Sequence, residues 1–399
     1  MIVLSGAALV LPDRILSPGT LAIDGGRIVE IRSDPPPASA QSTFAFHGHT
    51  IVPGFVDVHV HGVDGVDSQD PGNAVASIAA RLPRYGVTAF CPTTVACPPD
   101  VLRRVLDQVR QAREMPQPRS ARVLPAHLES NFIHPDFRGA QPSACLRMPP
   151  AARGSRGVDQ SAGFAGADIL AEIERAAPDV GIVTLAPELD GALDLIAALV
   201  ARGHRVSLGH SAATYEQALA GIAAGARHAT HLFNRMPPLH HRAPGLAGAV
   251  LQAEEVAVEI ICDGVHVHPS LVRLAIAAKR TSRVMAITDA TAAAGLPIGG
   301  RASLGGQPIT AGDRTAQLAD GTIAGSVLTM DRAFQTLVGP VGVSILDAAT
   351  LCATTPAREL GLVGHGVIAP DAVADLVVLD ANFDVVQTYV GGQLAFARQ

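Results

Sequence analysis

Residues 53–62 read Pro53-Gly54-Phe55-Val56-Asp57-Val58-His59-Val60-His61-Gly62. β-Branched and aromatic residues alternate here with Asp57, His59 and His61, and Pro-Gly and Gly bound the run, which is the pattern of a short buried strand. Residues two apart on a strand point the same way, so His59 and His61 project together from its end. Working outward from this run, the style recurs seven times, at 87–94, 122–129, 180–187, 205–210, 226–233, 256–262 and 283–289. Ala- and Leu-rich helical stretches fall between the runs, at 73–84, 100–113, 167–176, 192–202, 215–224 and 269–279. Strands alternating with helices predict an α/β fold with a parallel sheet, and eight units over about 250 residues predict a TIM-like (β/α)8 barrel. A doubly wound open sheet is the competing architecture, but no Gly-x-Gly-x-x-Gly follows the first strand.

The two ends differ from the middle. Short β-like runs occupy 2–4, 21–23, 27–31 and 51–52, with Asp24-Gly25-Gly26 as a hairpin signal, and recur at 374–379, 385–390 and 394–397. Neither end is apolar enough to form a core alone. The expectation is a small β-sandwich domain built from 1–52 plus 355–399, with the barrel, 53–354, inserted between them. Residues 150–166, rich in Gly, Ala and Ser, read as a mobile loop.

Composition narrows the function. The chain has 399 residues, 48% of them hydrophobic, and a formal net charge of −6 with no basic run, which disfavours nucleic acid or an anionic membrane as partner. No run of eighteen apolar residues occurs, and Met1–Arg14 lacks a basic region ahead of its apolar run, so neither a membrane span nor a signal peptide is expected. Five scattered cysteines without a Cys-x-x-Cys read as reduced thiols of a cytoplasmic protein. Lys279 is the only lysine. It falls in an Ala-rich helical stretch and reads as solvated, which disfavours both Schiff-base chemistry and a lysine-carbamate metal bridge.

In a (β/α)8 barrel the chemistry sits at the C-terminal ends of the strands. Those ends here are His59 and His61, Thr93 and Thr94, His127 and Glu129, Glu188, His210, His231, Asp263 and His266, and Asp289. A lone strand-end histidine is more often structural, Asp289 could simply cap the following turn, and the pair His47/His49 lies before the barrel and reads as surface. The joint pattern is stronger: His59, His61, Glu129, His210, His231 and Asp289 end strands that converge on one mouth. Imidazoles with carboxylates suit a divalent metal, Zn before Fe(II), bound once or twice per subunit.

Pro53–Gly62, His127-Leu128-Glu129, Leu185–Glu188, Gly209-His210-Ser211, Thr230–Asn234, Pro244–Gly248, Asp263–His266, Thr288-Asp289-Ala290, Gly325-Ser326 and Ala374–Leu379 run in order along the chain. As a set they resemble the amidohydrolase superfamily, and closely its N-acetylglucosamine-6-phosphate deacetylases. The resemblance implies the barrel with a small β-domain from both termini, a homodimer, and hydrolysis of N-acetylglucosamine 6-phosphate. It implies that Glu129, His210 and His231 are the principal metal ligands. His59 and His61 would hold a second metal where one is present, with Glu129 bridging in place of a lysine carbamate. Asp289 would be the general acid/base. His266 would meet the sugar phosphate, as would Arg242 from the neighbouring subunit. Asn234, the Arg235 backbone, Asp263 and the segment Ile323-Ala324-Gly325 would line the sugar-phosphate site, and Ala140-Gln141 the acyl side.

Four residues depart from the family pattern. Ser130-Asn131 follow Glu129 where Gly-Pro is usual, and Gln141 stands where a histidine contacts the acyl carbonyl. Arg235 replaces a small residue, either as a solvated side chain or as an added cationic contact. These changes surround the acyl and sugar pockets, so a deacetylase of another anionic N-acyl compound is the alternative substrate reading. A catalytically inactive relative acting in assembly would have lost ligands or Asp289, and this sequence keeps them all.

Overall fold

The computed structural model describes residues 1–33, 42–150 and 163–399. The loop expected at 150–166 falls mostly outside the described residues. Eight strands form the barrel: Phe55–Val60, Val87–Thr94, Ala126–Glu129, Val180–Leu185, Arg205–Leu208, His228–Ala229, Ala257–Ile261 and Val284–Ile287. Each matches one of the runs read from the sequence, and every neighbouring pair from the first strand to the eighth is parallel. The barrel closes beyond the eighth strand, where the amide of Asp289 donates to the carbonyl of His59 and that of His61 to the carbonyl of Ala290.

Asp57 reinforces this closure from inside. Fully buried, it accepts Thr288 Oγ1 at 2.6 Å and the amides of His59 and Thr288 at 3.2 and 3.3 Å. Burial outweighs those donors and pushes its carboxyl up to about 7. Helices pack outside the strands, and the contiguous core runs through Val58, Phe90, Leu128, Ile182, Val206, Val258 and Ile287. Helix Gly245–Gln252 is absent from the sequence reading, because its Gly-rich start hides the helical period.

Both chain ends build one eight-stranded sheet. Its seam is Thr50–Pro53, which pairs parallel with Ile2–Val10 and antiparallel with Leu376–Leu379. The Asp24-Gly25-Gly26 signal is a hairpin turn, with Asp24 opposite Arg27. This sheet has its own core of Leu4, Leu9, Leu21, Ile51, Leu376 and Tyr389. A third element was not foreseen: Arg301–Leu304, Gln307–Ala311, Thr315–Gln317 and Ile323–Ser326 form a four-stranded antiparallel sheet. It follows the eighth barrel strand and delivers residues 323–325 to the barrel mouth.

Lys279 corrects the sequence reading. It is buried, only 4% exposed, and its ammonium donates to the carbonyl of Ala253, the residue that ends helix Gly245–Gln252. The alkyl stem lies between helices while the amine satisfies a helix C-terminus. It does not line the cavity at the barrel mouth.

Candidate active site

Six of the strand-end residues meet at the mouth, and all are at least nine-tenths buried. Glu129 is the hub. Its Oε1 lies 2.7 Å from His210 Nε2 and 2.8 Å from His231 Nε2. His61 Nε2 is 3.6 Å from its Oε2, and His59 Nε2 is 3.8 Å from its Oε1. On the opposite side, Asp289 Oδ1 lies 3.3 Å from His59 Nε2 and 3.2 Å from His61 Nε2. The backbone bends to achieve this. His210, His231 and Asp289 have φ of +48°, +28° and +51°, left-handed values that side chains rarely adopt and that cluster at functional sites. Gly325 is needed beside them, since a Cβ there would sit 2.8 Å from the Asp289 carbonyl oxygen.

Electrostatics follow from the crowding. Burial alone would raise the Asp289 carboxyl, but His59 and His61 hold it down to about 2. Glu129 is likewise held low against burial, chiefly by His210. Burial opposes charge on His59, yet Asp289, Glu259 and Glu129 together push it up to about 10.

The residues present fit a divalent metal. Glu129, His210 and His231 each offer a donor atom within 4.8 Å of the others, and so do His59, His61 and Glu129. Imidazole Nε2 atoms face one another at 3.1 Å for His210–His231 and 3.3 Å for His59–His61, so both pairs turn nitrogen atoms onto one point, as shared coordination requires. The other ring nitrogen of His210 donates to the carbonyl of Phe137 at 2.8 Å, leaving Nε2 as the free donor atom. His127 is not part of this set. It points into the barrel, between the Val58 carbonyl and Thr184 Oγ1.

A cavity of about 350 Å³ opens over the hub, a size that takes a small polar ligand. Of the residues read as substrate contacts, Ala140, Gln141, Asn234, Arg235, His266, Ile323 and Gly325 line it, beside His61, Glu129, His210, His231 and Asp289. Three others do not. Asp263 stands behind His266, whose Nδ1 it meets at 2.6 Å; that carboxylate raises the imidazole's pKa against the effect of burial. Ala324 turns its methyl into the core of the four-stranded sheet, with Leu304 and Ile309. Arg242 is exposed, on the turn His240–Ala243.

Gln141 is oriented firmly. Its Oε1 accepts the Ala96 amide at 2.6 Å, and its Nε2 donates to Glu129 Oε2. Arg235 lies across Gly139, where a Cβ would come within 2.5 Å of its Nε. Glu188, also a strand-end residue, faces sideways and accepts Ser211 Oγ and the Ala212 amide at 2.7 and 2.6 Å, fixing the loop that carries His210.

The sequence reading missed Glu259. It is fully buried on the seventh strand, and its Oε2 sits 3.0 Å from His59 Nδ1. A carboxylate inside the apolar run Val256–Ile261 was the available signal.

A parallel barrel with carboxylate and imidazole donors at its mouth defines a metal-dependent hydrolase scaffold. The Amidohydrolase family model matches residues 50–395. An N-acetylglucosamine-6-phosphate deacetylase of Rattus norvegicus is 37% identical over 99% of this chain and 94% of its own length. An N-acetylgalactosamine-6-phosphate deacetylase of Escherichia coli O157:H7 is 35% identical over 98% of this chain and 99% of its own. Among solved structures, a mutant N-acetyl-D-glucosamine-6-phosphate deacetylase of Mycobacterium smegmatis, in complex with N-acetyl-D-glucosamine-6-phosphate, superposes with a TM-score of 0.87. It is 32% identical and covers 99% of both chains. The chain belongs to the amidohydrolase family and, within it, to the N-acetylglucosamine-6-phosphate deacetylases.

Proposed function

We propose that this chain hydrolyses the N-acetyl amide of N-acetylglucosamine 6-phosphate, releasing acetate and glucosamine 6-phosphate. The observation that carries the reading is one mouth where Glu129, Asp289 and the imidazoles of His61, His210 and His231 face a cavity that His266 and Arg235 also line. Glu129, His210 and His231 would hold a divalent metal, Zn first, and His59 and His61 with Glu129 a second. The chemistry such a cation supplies when bound is Lewis acidity toward water and the amide carbonyl. Asp289, ionised at neutral pH, takes the proton of the attacking water as its oxygen adds to the acetyl carbon. It then delivers that proton to the amine nitrogen as the C–N bond breaks. His266, its basicity raised by Asp263, meets the phosphate or sugar, Asn234 offers an amide to the sugar, and Ala140 with Gln141 bounds the acetyl side.

Arg242 is exposed, too far out to line the cavity. We infer that it serves the site of a second copy in a homodimer, as a fork for the phosphate. The five unpaired cysteines, four of them buried, suit a reducing cytoplasm. Among the described residues no helix is long and apolar enough to cross a membrane.

A second reading, N-acetylgalactosamine 6-phosphate as the substrate, has a specific observation in its favour: relatives acting on either sugar match this chain at nearly equal identity over nearly all its length. Amine release from both 6-phosphates, from the unphosphorylated sugars and from longer N-acyl analogues tests the proposal. Turnover of a hexosamine 6-phosphate at least tenfold above its unphosphorylated sugar is expected. Equal rates on the two would overturn phosphate recognition, and no amine release by metal-loaded protein would overturn the activity.

A further inference from the structure

We propose that Glu259 is a positioning residue: through His59 it orients and charges the His59–His61–Glu129 donor set so that this set holds a second divalent cation. The inference rests on reading the mouth as a metal centre, and it adds a residue that touches neither substrate nor cation.

A carboxylate in a barrel interior needs a reason, because burying an ion without compensation is costly. Among the described residues two acids, Asp57 and Glu259, share this interior, and they differ. Asp57 is met by a hydroxyl and two backbone amides, which accounts for it as a structural tie between the first and eighth strands. Glu259 has one close partner, the ring of His59 at 3.0 Å. Its Oε1 has no hydrogen bond among the described residues, and the next imidazole, His127, stands 3.8 Å away with its Nδ1 committed to the Val58 carbonyl. Among the described residues no arginine or lysine forms an ion pair with it.

The direction of that one contact matters. An imidazole that donates Nδ1–H to Glu259 turns Nε2 to its other edge, where the lone pair becomes available to a cation that displaces any proton held there. There Nε2 is 3.3 Å from His61 Nε2 and 3.3 Å from Asp289 Oδ1. Glu259 therefore fixes the tautomer of His59, fixes the ring plane and makes Nε2 a stronger donor, the work a carboxylate does behind a metal-bound histidine. A cation held at the far edge of the ring would add the positive charge that Glu259 lacks on its own side. His210 shows the contrast: the group behind its Nδ1 is a neutral carbonyl, that of Phe137. The first donor set thus stands without a buried carboxylate behind His210, while the His59–His61 set has one.

The test is stepwise Zn²⁺ titration of the metal-stripped full chain by calorimetry, for the parent and for Glu259→Gln. The amide keeps the shape and an acceptor oxygen while removing the charge. The parent should take two equivalents. The variant should bind the first within about threefold of the parent and the second about tenfold to hundredfold more weakly. A matched melting curve for the metal-free proteins separates this from a folding defect. Nitrogen-15 spectra of the parent carrying two equivalents of Zn²⁺, with His59 identified by its loss in His59→Gln, should show the proton on Nδ1. Equal second-site affinities, a single equivalent in the parent, or a His59 proton on Nε2 would each overturn the proposal and leave the deacetylase reading standing. No binding at all would overturn both.

Discussion

Replacing Glu129 with Gln removes the one anionic donor shared by both sets of ligands. The carboxylate lies within 4 Å of four imidazole nitrogens, so a cation placed among them is within about that distance of its charge. Two unit charges 4 Å apart interact by about 4 kcal/mol at the effective dielectric of protein sites. At about 1.4 kcal/mol per decade, losing one negative charge should weaken metal binding by about three orders of magnitude or more. The amide adds a conflict. Gln141, held by the Ala96 amide, directs its NH2 group at Glu129 Oε2, and an amide at 129 can answer with oxygen there only by turning its own NH2 toward His210 and His231. The assay is metal content after dialysis against a weak chelator, together with amine release at saturating metal. Near-empty protein with turnover below about one-thousandth of the parent is expected. Stoichiometric metal in Glu129→Gln, with turnover within tenfold, would refute the assignment of Glu129 as the hub.

Asp289→Asn should keep its metal and lose turnover by several orders of magnitude, since shape persists and proton transfer fails; activity within tenfold of the parent would make Asp289 structural. Arg242→Ala should raise KM for the 6-phosphate by the equivalent of about 1.5–3 kcal/mol, with little change for unphosphorylated sugar. Mixing it with Asp289→Asn subunits should restore activity if Arg242 serves its neighbour, and proven heterodimers without restoration would refute that. Lys279→Met should leave turnover unchanged and should not lower stability at neutral pH, because loss of the bond to the Ala253 carbonyl is offset by relief of the buried charge. Burial pushes the Lys279 ammonium down to about 8 from 10.5. The folded parent therefore binds fewer protons than the unfolded chain between those values and should gain stability over Lys279→Met as pH rises from 8 to 10.5. Melting curves across that range that run parallel would contradict it.

The sequence by itself determined the eight barrel strands, because a buried parallel strand is a local β-branched run and its helix a local 3.6-residue period. It also determined the donors at the mouth, since strand ends in a barrel converge wherever they fall in the chain. The hairpin at Asp24-Gly25-Gly26 was legible for the same local reason. Only the tertiary structure decided how those donors are held. Glu259 meets His59 across 200 residues of chain, and nothing near either residue encodes the meeting. Gln141 reads as an acyl contact, and nothing local shows that the Ala96 amide also turns its NH2 group onto Glu129. Lys279 reads as solvated because it falls in an Ala-rich helical stretch, yet a neighbouring helix end buries it. The sheet of residues 301–326 has strands of only three to five residues, too short for period-two alternation to register, and it is stabilised by closing over Val95 and Ala293. Periodicity records which face of an element is buried; it does not record what lies on the other side of that face, and the chemistry of this site is settled there.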